Sequence, residues 1–168
     1  MTTIHLAHTA PVNPPGTAGP ILTQEQLFKG FQHKIRRPSE FVAAIAKAEI
    51  LSEDTATGVI KRRVTFKEGA VGGQPLEVVE VCRELPPHRV DFELENGSQV
   101  WNIIGGDTPE NLFVTYAFAW KHPELMGDDT QPTSAAYRAA EAEHKRLAKF
   151  SVESSLATTR KLVAGGAI

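Results

Sequence analysis

The side chain in this sequence best suited to moving a proton is His144, which stands in the C-terminal run YRAAEAEHKRLAKFSVESSLATTRKLV, residues 137–163. Imidazole titrates near neutral pH and serves as acid or base. Glu141 precedes it by about one helical turn and could orient the ring, or the two simply pair at a solvated surface. Tyr116 is the second proton-transfer candidate. It belongs to ENLFVTYAFAWKH, where Leu112, Val114, Tyr116, Phe118 and Trp120 alternate with Phe113, Thr115, Ala117 and Ala119. Aromatic rings with one polar atom offer a flat apolar ligand both area and a hydrogen bond. Trp101, Trp120, Phe92, Phe118 and Tyr137 are therefore candidate wall residues, although an aromatic stripe on a strand is also what a plain core looks like.

Other constellations carry less. Glu80, Cys82 and Glu84 share one strand face, with Arg62 available from the preceding run to pair a carboxylate. Val79, Val81 and Leu85 on the other face are apolar, so the polar row is expected on the solvated convex side. Cys82 has no activating histidine at a recognisable spacing. HLAH places its two histidines on opposite faces of a strand, and His33, His88 and His122 lack fixed-spacing partners, so no metal site is expected. GAVGG and IIGGD fall between strand-like runs rather than before a helix. They are turn glycines, and no bound cofactor is expected.

Positioning these groups requires a framework. TTIHLAHTAPV reads as a first strand, stopped by NPPGTAGP. Thr23 caps a helix over QEQLFKGFQHKIRR, with Gln26 placed to complete a capping box. Pro38 ends that helix, and Ser39 could start a second short one over EFVAAIAK. Six strand-like runs follow, KAEILSE, GVIKRRVTFKE, PLEVVEVCREL, HRVDFELEN, SQVWNIIGG and ENLFVTYAFAWKH, joined by turns too short for parallel crossovers. Asn-Gly in ENGS suits a two-residue hairpin turn with positive φ. Thr133 or Ser134 then caps the last helix.

That helix is amphipathic, yet its stripe is unusual. At about 100° per residue, Tyr137, Glu141, His144, Ala148, Ser151, Ser155, Thr159 and Leu162 align, flanked by Leu147, Val152 and Leu156. Small and hydroxylated residues stand where a core helix carries Leu and Ile. Either bulky sheet residues fill the space beneath, or a cavity remains for a ligand touched by Ala148, Ser151 and Ser155. The hydroxyls could also bond back to helix carbonyls and permit close packing.

The chain has 168 residues, 41% of them hydrophobic and 23% charged, with a formal net charge of −2. One domain spanning residues 1–168 is the simplest organisation. Near-balanced charge without a basic run argues against nucleic acid as the ligand. A single cysteine, no signal-like start and no run near the roughly 18 apolar residues of a membrane span imply a soluble, cytoplasmic protein.

The element order and the small-residue stripe resemble the START/Bet v 1-like superfamily of helix-grip proteins. HLAHTAPVNPP, LTQEQLFKGFQHKIRRPSEFV, VTFKEG, VEVCRELPPHRVDFELENGSQVWNIIGG and LFVTYAFAW are similar, more narrowly, to the family named for protein L of the fungal acetylaranotin cluster. The resemblance implies an α+β fold, a curved seven-stranded antiparallel sheet wrapped around a long C-terminal helix, with two short helices after the first strand. It also implies a ligand cavity and a link to fungal secondary metabolism, but no catalytic motif. Two functions follow as expectations. One is a cofactor-independent enzyme that cyclises, isomerises or dehydrates an apolar polyketide-, terpenoid- or peptide-derived intermediate; the other is a non-catalytic carrier of a small hydrophobic molecule. Phe150, on the charged side of the helix, is a candidate homodimer or partner contact.

Overall fold

A computed structural model describes residues 2–68 and 76–168. The strands are β1 (Thr2–Pro11), β2 (Ile45–Asp54), β3 (Val59–Phe66), β4 (Glu77–Leu85), β5 (Arg89–Leu94), β6 (Gln99–Gly105) and β7 (Phe113–His122). The helices are α1 (Gln24–Arg36) and α2 (Ala135–Ala164). All seven strands form one antiparallel sheet in the order β1-β7-β6-β5-β4-β3-β2, so the first strand closes against the last. This is the expected helix-grip arrangement.

Local chemistry explains the helix boundaries. At α1 the Thr23 hydroxyl accepts from the Gln26 amide while the Gln26 side chain accepts from the Thr23 amide, completing the capping box. Ser134, and not Thr133, caps α2 by accepting from the Tyr137 amide. EFVAAIAK does not form a helix. After Pro38 a single 3-10 turn covers Pro38–Glu40, and β2 already begins at buried Ile45, inside the stretch expected to be helical.

The hairpin at Asn96-Gly97 also differs. The Leu94 amide bonds the Ser98 carbonyl and the Gly97 amide bonds the Leu94 carbonyl, leaving a three-residue loop in which only Gly97 has positive φ, at 81°. That is a type I turn followed by a left-handed glycine, the usual three-residue solution. The GAVGGQ turn, residues 69–74, lies outside the described residues.

The concave side holds the core: Ile60, Val64, Val90, Phe92, Ile104, Val114, Tyr116 and Phe118 from the sheet, with Leu27, Phe31 and Ile35 from α1 and Ala148, Val152 and Leu156 from α2. Of the three residues flanking the stripe, Val152 and Leu156 are buried and Leu147 is exposed. The small α2 side chains have two explanations. At Thr159 they admit α1, since a Cβ on Gly30 would lie 2.6 Å from the Thr159 hydroxyl oxygen. Further along, rings fill the space: Phe31 packs edge-on against Tyr116 at 6.1 Å, and Phe118 and Trp120 stack at 5.6 Å.

The polar row of β4 is reversed from expectation. Glu80, Cys82 and Glu84 face inward, because Cys82 is fully buried and Arg62, directly opposite Glu80, is only 4% exposed. Val79, Val81 and Leu85 take the convex face, with Leu85 44% exposed. Apolar alternation alone misassigns this strand, since β-branched residues favour either face of a sheet.

Candidate functional site

Lys34 reaches the interior because α1 carries it on its buried face, three residues after Phe31 and seven after Leu27. Arg62 fixes the last turn beneath it. Its Nη1 donates to the carbonyl oxygens of Lys34 at 3.0 Å and Ile35 at 2.5 Å, while Nε and Nη2 bind Glu80 Oε2 at 2.8 and 2.7 Å. The guanidinium thus joins helix, β3 and β4.

Lys34 keeps some exposed surface, but its amine end is enclosed by protein. Nζ lies 3.3 Å from the Tyr116 hydroxyl and 3.4 Å from the Ser155 hydroxyl. It also lies 4.4 Å from the Tyr116 ring centre and 5.9 Å from that of Phe92. Among the described residues no carboxylate forms an ion pair with it: Glu80 is held by Arg62, and Glu84 by Arg36 and Gln32. Burial, followed by the Arg62 charge, brings the amine down from 10.5 to about 7. Near neutral pH a large share is therefore free base. Burial pushes the Tyr116 phenol upward against the opposing Ser155 hydrogen bond, so it stays protonated. Burial likewise pushes the Cys82 thiol up to about 12, which leaves no thiolate for nucleophilic attack.

Asn102 adds the least expected element. It sits between Val90 and Tyr116 in the sheet register, is fully buried, and neither its amide nitrogen nor its oxygen has a partner among the described residues. An orphaned buried polar group costs about 1–3 kcal/mol, which a ligand hydrogen bond would recover.

A second polar group lies near the start of α2. Glu124 Oε1 is 2.5 Å from His122 Nδ1, and His122 Nε2 is 2.9 Å from His144 Nε2. With Nδ1–H donated to the carboxylate, His122 Nε2 accepts from His144 and leaves His144 Nδ1 as the available base. The His144 ring stacks on Trp120 at 5.5 Å. Burial, then the neighbouring His122 charge, lowers its pKa. The group that orients His144 is therefore His122 with Glu124 behind it. Glu141 instead binds Lys145 at 3.1 Å, one turn along the same exposed edge.

The other sequence candidates separate by face. Phe92, Phe118, Ala148 and Ser155 are buried in the interior, while Trp120, Ser151 and Tyr137 are half-buried. Trp101 pairs with Asp91 and Ala117 on the convex side, so it does not face α2. Tyr116 and His144 do not form one site: Trp120, on which His144 stacks, is four residues along β7 from Tyr116, about 13 Å. Lys34 and Asn102 were not among the sequence candidates. Both broke a pattern, a lysine in the apolar stripe of α1 and an amide between Val100 and Ile104 on a core-facing strand.

Two surface hollows lie at the rim. One of about 510 Å³ is bordered by Lys29, Gln32, Arg36 and Ile168, and one of about 320 Å³ by Ala10, Val12, Leu156 and Arg160. Neither is lined by Lys34 or His144. No helix among the described residues is long and apolar enough to cross a membrane, and no group of three or more His, Cys, Asp or Glu side chains is arranged to hold a metal ion.

Comparison with known proteins gives the fold and the family separately. The structure is similar to the Zhui aromatase/cyclase from Streptomyces, with a TM-score of 0.65 and 15% identity, covering 96% of each chain. It is also similar to the di-domain ARO/CYC StfQ from the steffimycin biosynthetic pathway, with a TM-score of 0.67 and 9% identity over 99% of this chain and 52% of that one, about half its length. Ara h 8.0201 matches with a TM-score of 0.60 and 10% identity over 94% of this chain and 97% of that one. At these identities the likeness is one of fold. In sequence, the acetylaranotin biosynthesis cluster protein L of Aspergillus terreus is 23% identical over 159 residues, covering 95% of this chain and 89% of the relative. The family model of that protein matches residues 6–166, and the chain accordingly belongs to the acetylaranotin biosynthesis cluster protein L family.

Proposed function

We propose that this protein is a cofactor-independent enzyme of secondary-metabolite biosynthesis. It binds an apolar intermediate between the sheet and α2 and promotes cyclisation, isomerisation or dehydration by moving protons next to a carbonyl. The observation that carries this reading is the orphaned Asn102 amide, opposite Tyr116 in the sheet, whose hydroxyl is reached by the Lys34 amine, in a core that includes Phe31, Phe92 and Phe118. Its NH₂ is free to hold a carbonyl or enolate oxygen. Lys34 as free base can take the adjacent proton, and the protonated Tyr116 and Ser155 hydroxyls can return one. The biosynthetic relative and the aromatase/cyclase neighbours support the reaction class. His144, at the solvent side of the aromatic row, exchanges protons with water.

Seating a ligand here requires Phe118 and Trp120 to swing aside, since the rings occupy the interior. The test uses the metabolite that accumulates when the gene is deleted from its host. Purified protein should convert it, and Lys34→Met and Tyr116→Phe should each slow conversion by about 10²–10⁴-fold. Undiminished rates in both variants would defeat the proton-transfer assignment. Binding of the metabolite without any change in its mass or spectrum would identify a carrier.

A further inference from the structure

We propose that Lys34 is a covalent catalyst, condensing with a carbonyl of the substrate to form an imine while Asn102 holds a second carbonyl of the same molecule. This rests on the catalytic reading above and names the substrate class: an apolar compound bearing two carbonyl groups. A lysine becomes a nucleophile when it is desolvated in an apolar site or set beside another cation. Both conditions hold. The amine is packed against the Tyr116 and Phe92 rings, it has no carboxylate ion pair among the described residues, and the Arg62 guanidinium lies 5.3 Å from the same Phe92 ring. A lysine acting only as a structural cation would be expected to take one of the nearby carboxylates. Instead Glu80 is bound by Arg62 and Glu84 by Arg36.

The step balances without an outside oxidant or reductant. The amine nitrogen adds to the carbonyl carbon, and the carbonyl oxygen departs as water with the two amine protons, Tyr116 and Ser155 relaying them. A C=N bond replaces C=O. Transfer of a proton from the neighbouring carbon to the imine nitrogen gives an enamine. Its carbon attacks the carbonyl held by Asn102, the ring bond forms, the N–H proton passes to that carbonyl oxygen to make a hydroxyl, and the C=N bond is restored. Water then hydrolyses the C=N bond and returns the amine.

Reductive trapping tests this on the wild-type chain, using benzaldehyde as the carbonyl probe and sodium cyanoborohydride at pH 7, with peptide mass spectrometry as the readout. Lys34 should carry one benzyl group at a rate at least about tenfold above exposed Lys61, because an ordinary lysine is almost wholly protonated at that pH. Labelling of Lys34 no faster than Lys61 would overturn the imine. If Lys34→Arg and Lys34→Met, folded by circular dichroism, then still lose turnover of the accumulated metabolite, the amine acts by proton transfer alone and the catalytic reading survives. If both variants turn over at the wild-type rate, imine and catalytic reading fall together.

Discussion

In the first half of α2, at His144, a half-buried imidazole meets buried His122, whose partner Glu124 is exposed; further along, at Ser155, an amine and a phenol are closed in by protein, with the Asn102 amide opposite Tyr116 in the sheet. Both groups are clusters of polar side chains between the sheet and α2, the inner one completed by Lys34 of α1. They differ in what balances their charge. Glu124 faces His122 directly, while Lys34 has only hydroxyls and ring faces, and its desolvation is expressed as a lowered pKa. The same low dielectric that makes the inner group reactive makes it costly, so perturbing the two ends should give unequal effects.

The largest difference is expected at the ion pair under Lys34. Glu80→Ala strands the buried Arg62 guanidinium and should cost about 3–5 kcal/mol in urea unfolding, much of it restored in an Arg62→Met/Glu80→Leu double variant. Glu124→Ala, removing an exposed partner at the other end, should cost under about 1 kcal/mol. If the two losses were alike, the contrast between the ends would fail. Gly30→Ala probes the tight seam behind the inner group. The added methyl meets Thr159 and should cost about 1–3 kcal/mol, with recovery in a Gly30→Ala/Thr159→Ala pair.

Titration sharpens the contrast. Lys34 drops from 10.5 to about 7 on folding, so between those values the unfolded chain binds the extra proton. Stability therefore rises with pH from about 7 to about 10, by up to about 1.4 kcal/mol per unit, and levels off below 7, where both states hold the proton. Lys34→Met should flatten that slope in unfolding measured across the range. His144 is also lowered, and as pH falls below 6.5 its unfolded ring takes a proton that the folded ring resists, so stability falls there. Being partly exposed, it should give the smallest effect, a shallow acid slope absent in His144→Leu.

The strands, their antiparallel order and both long helices were legible because alternation, turn chemistry and caps all point one way, as at Thr23 with Gln26 and along Leu112 to Trp120. The site was legible only in part. Tyr116, Ser155 and His144 stood out by type and face, whereas Lys34 and Asn102 look like ordinary polar residues until a third dimension encloses them. The partnership of His144 with His122 bridges 22 positions, which no helical spacing reveals, while Glu141 one turn away looks equally apt. Trp101 and the β4 carboxylates were misassigned for one reason. Apolar residues on the convex face, among them Val79, Val81 and Ile103, make the two faces of the sheet similar in hydrophobicity.

That similarity bears on how the chain finds its fold. Sliding β4 by one residue would turn Val79, Val81 and Leu85 inward and Glu80, Cys82 and Glu84 outward, a pattern with the look of an ordinary core strand. Hydrophobicity alone would not reject it. In the native register Arg62 meets Glu80, and Arg36 with Gln32 meets Glu84. The slip would unpair both carboxylates and leave Arg62 buried without a partner. The polar row of β4 thus serves as a key, admitting one strand alignment and penalising a competitor that greasier residues would have welcomed.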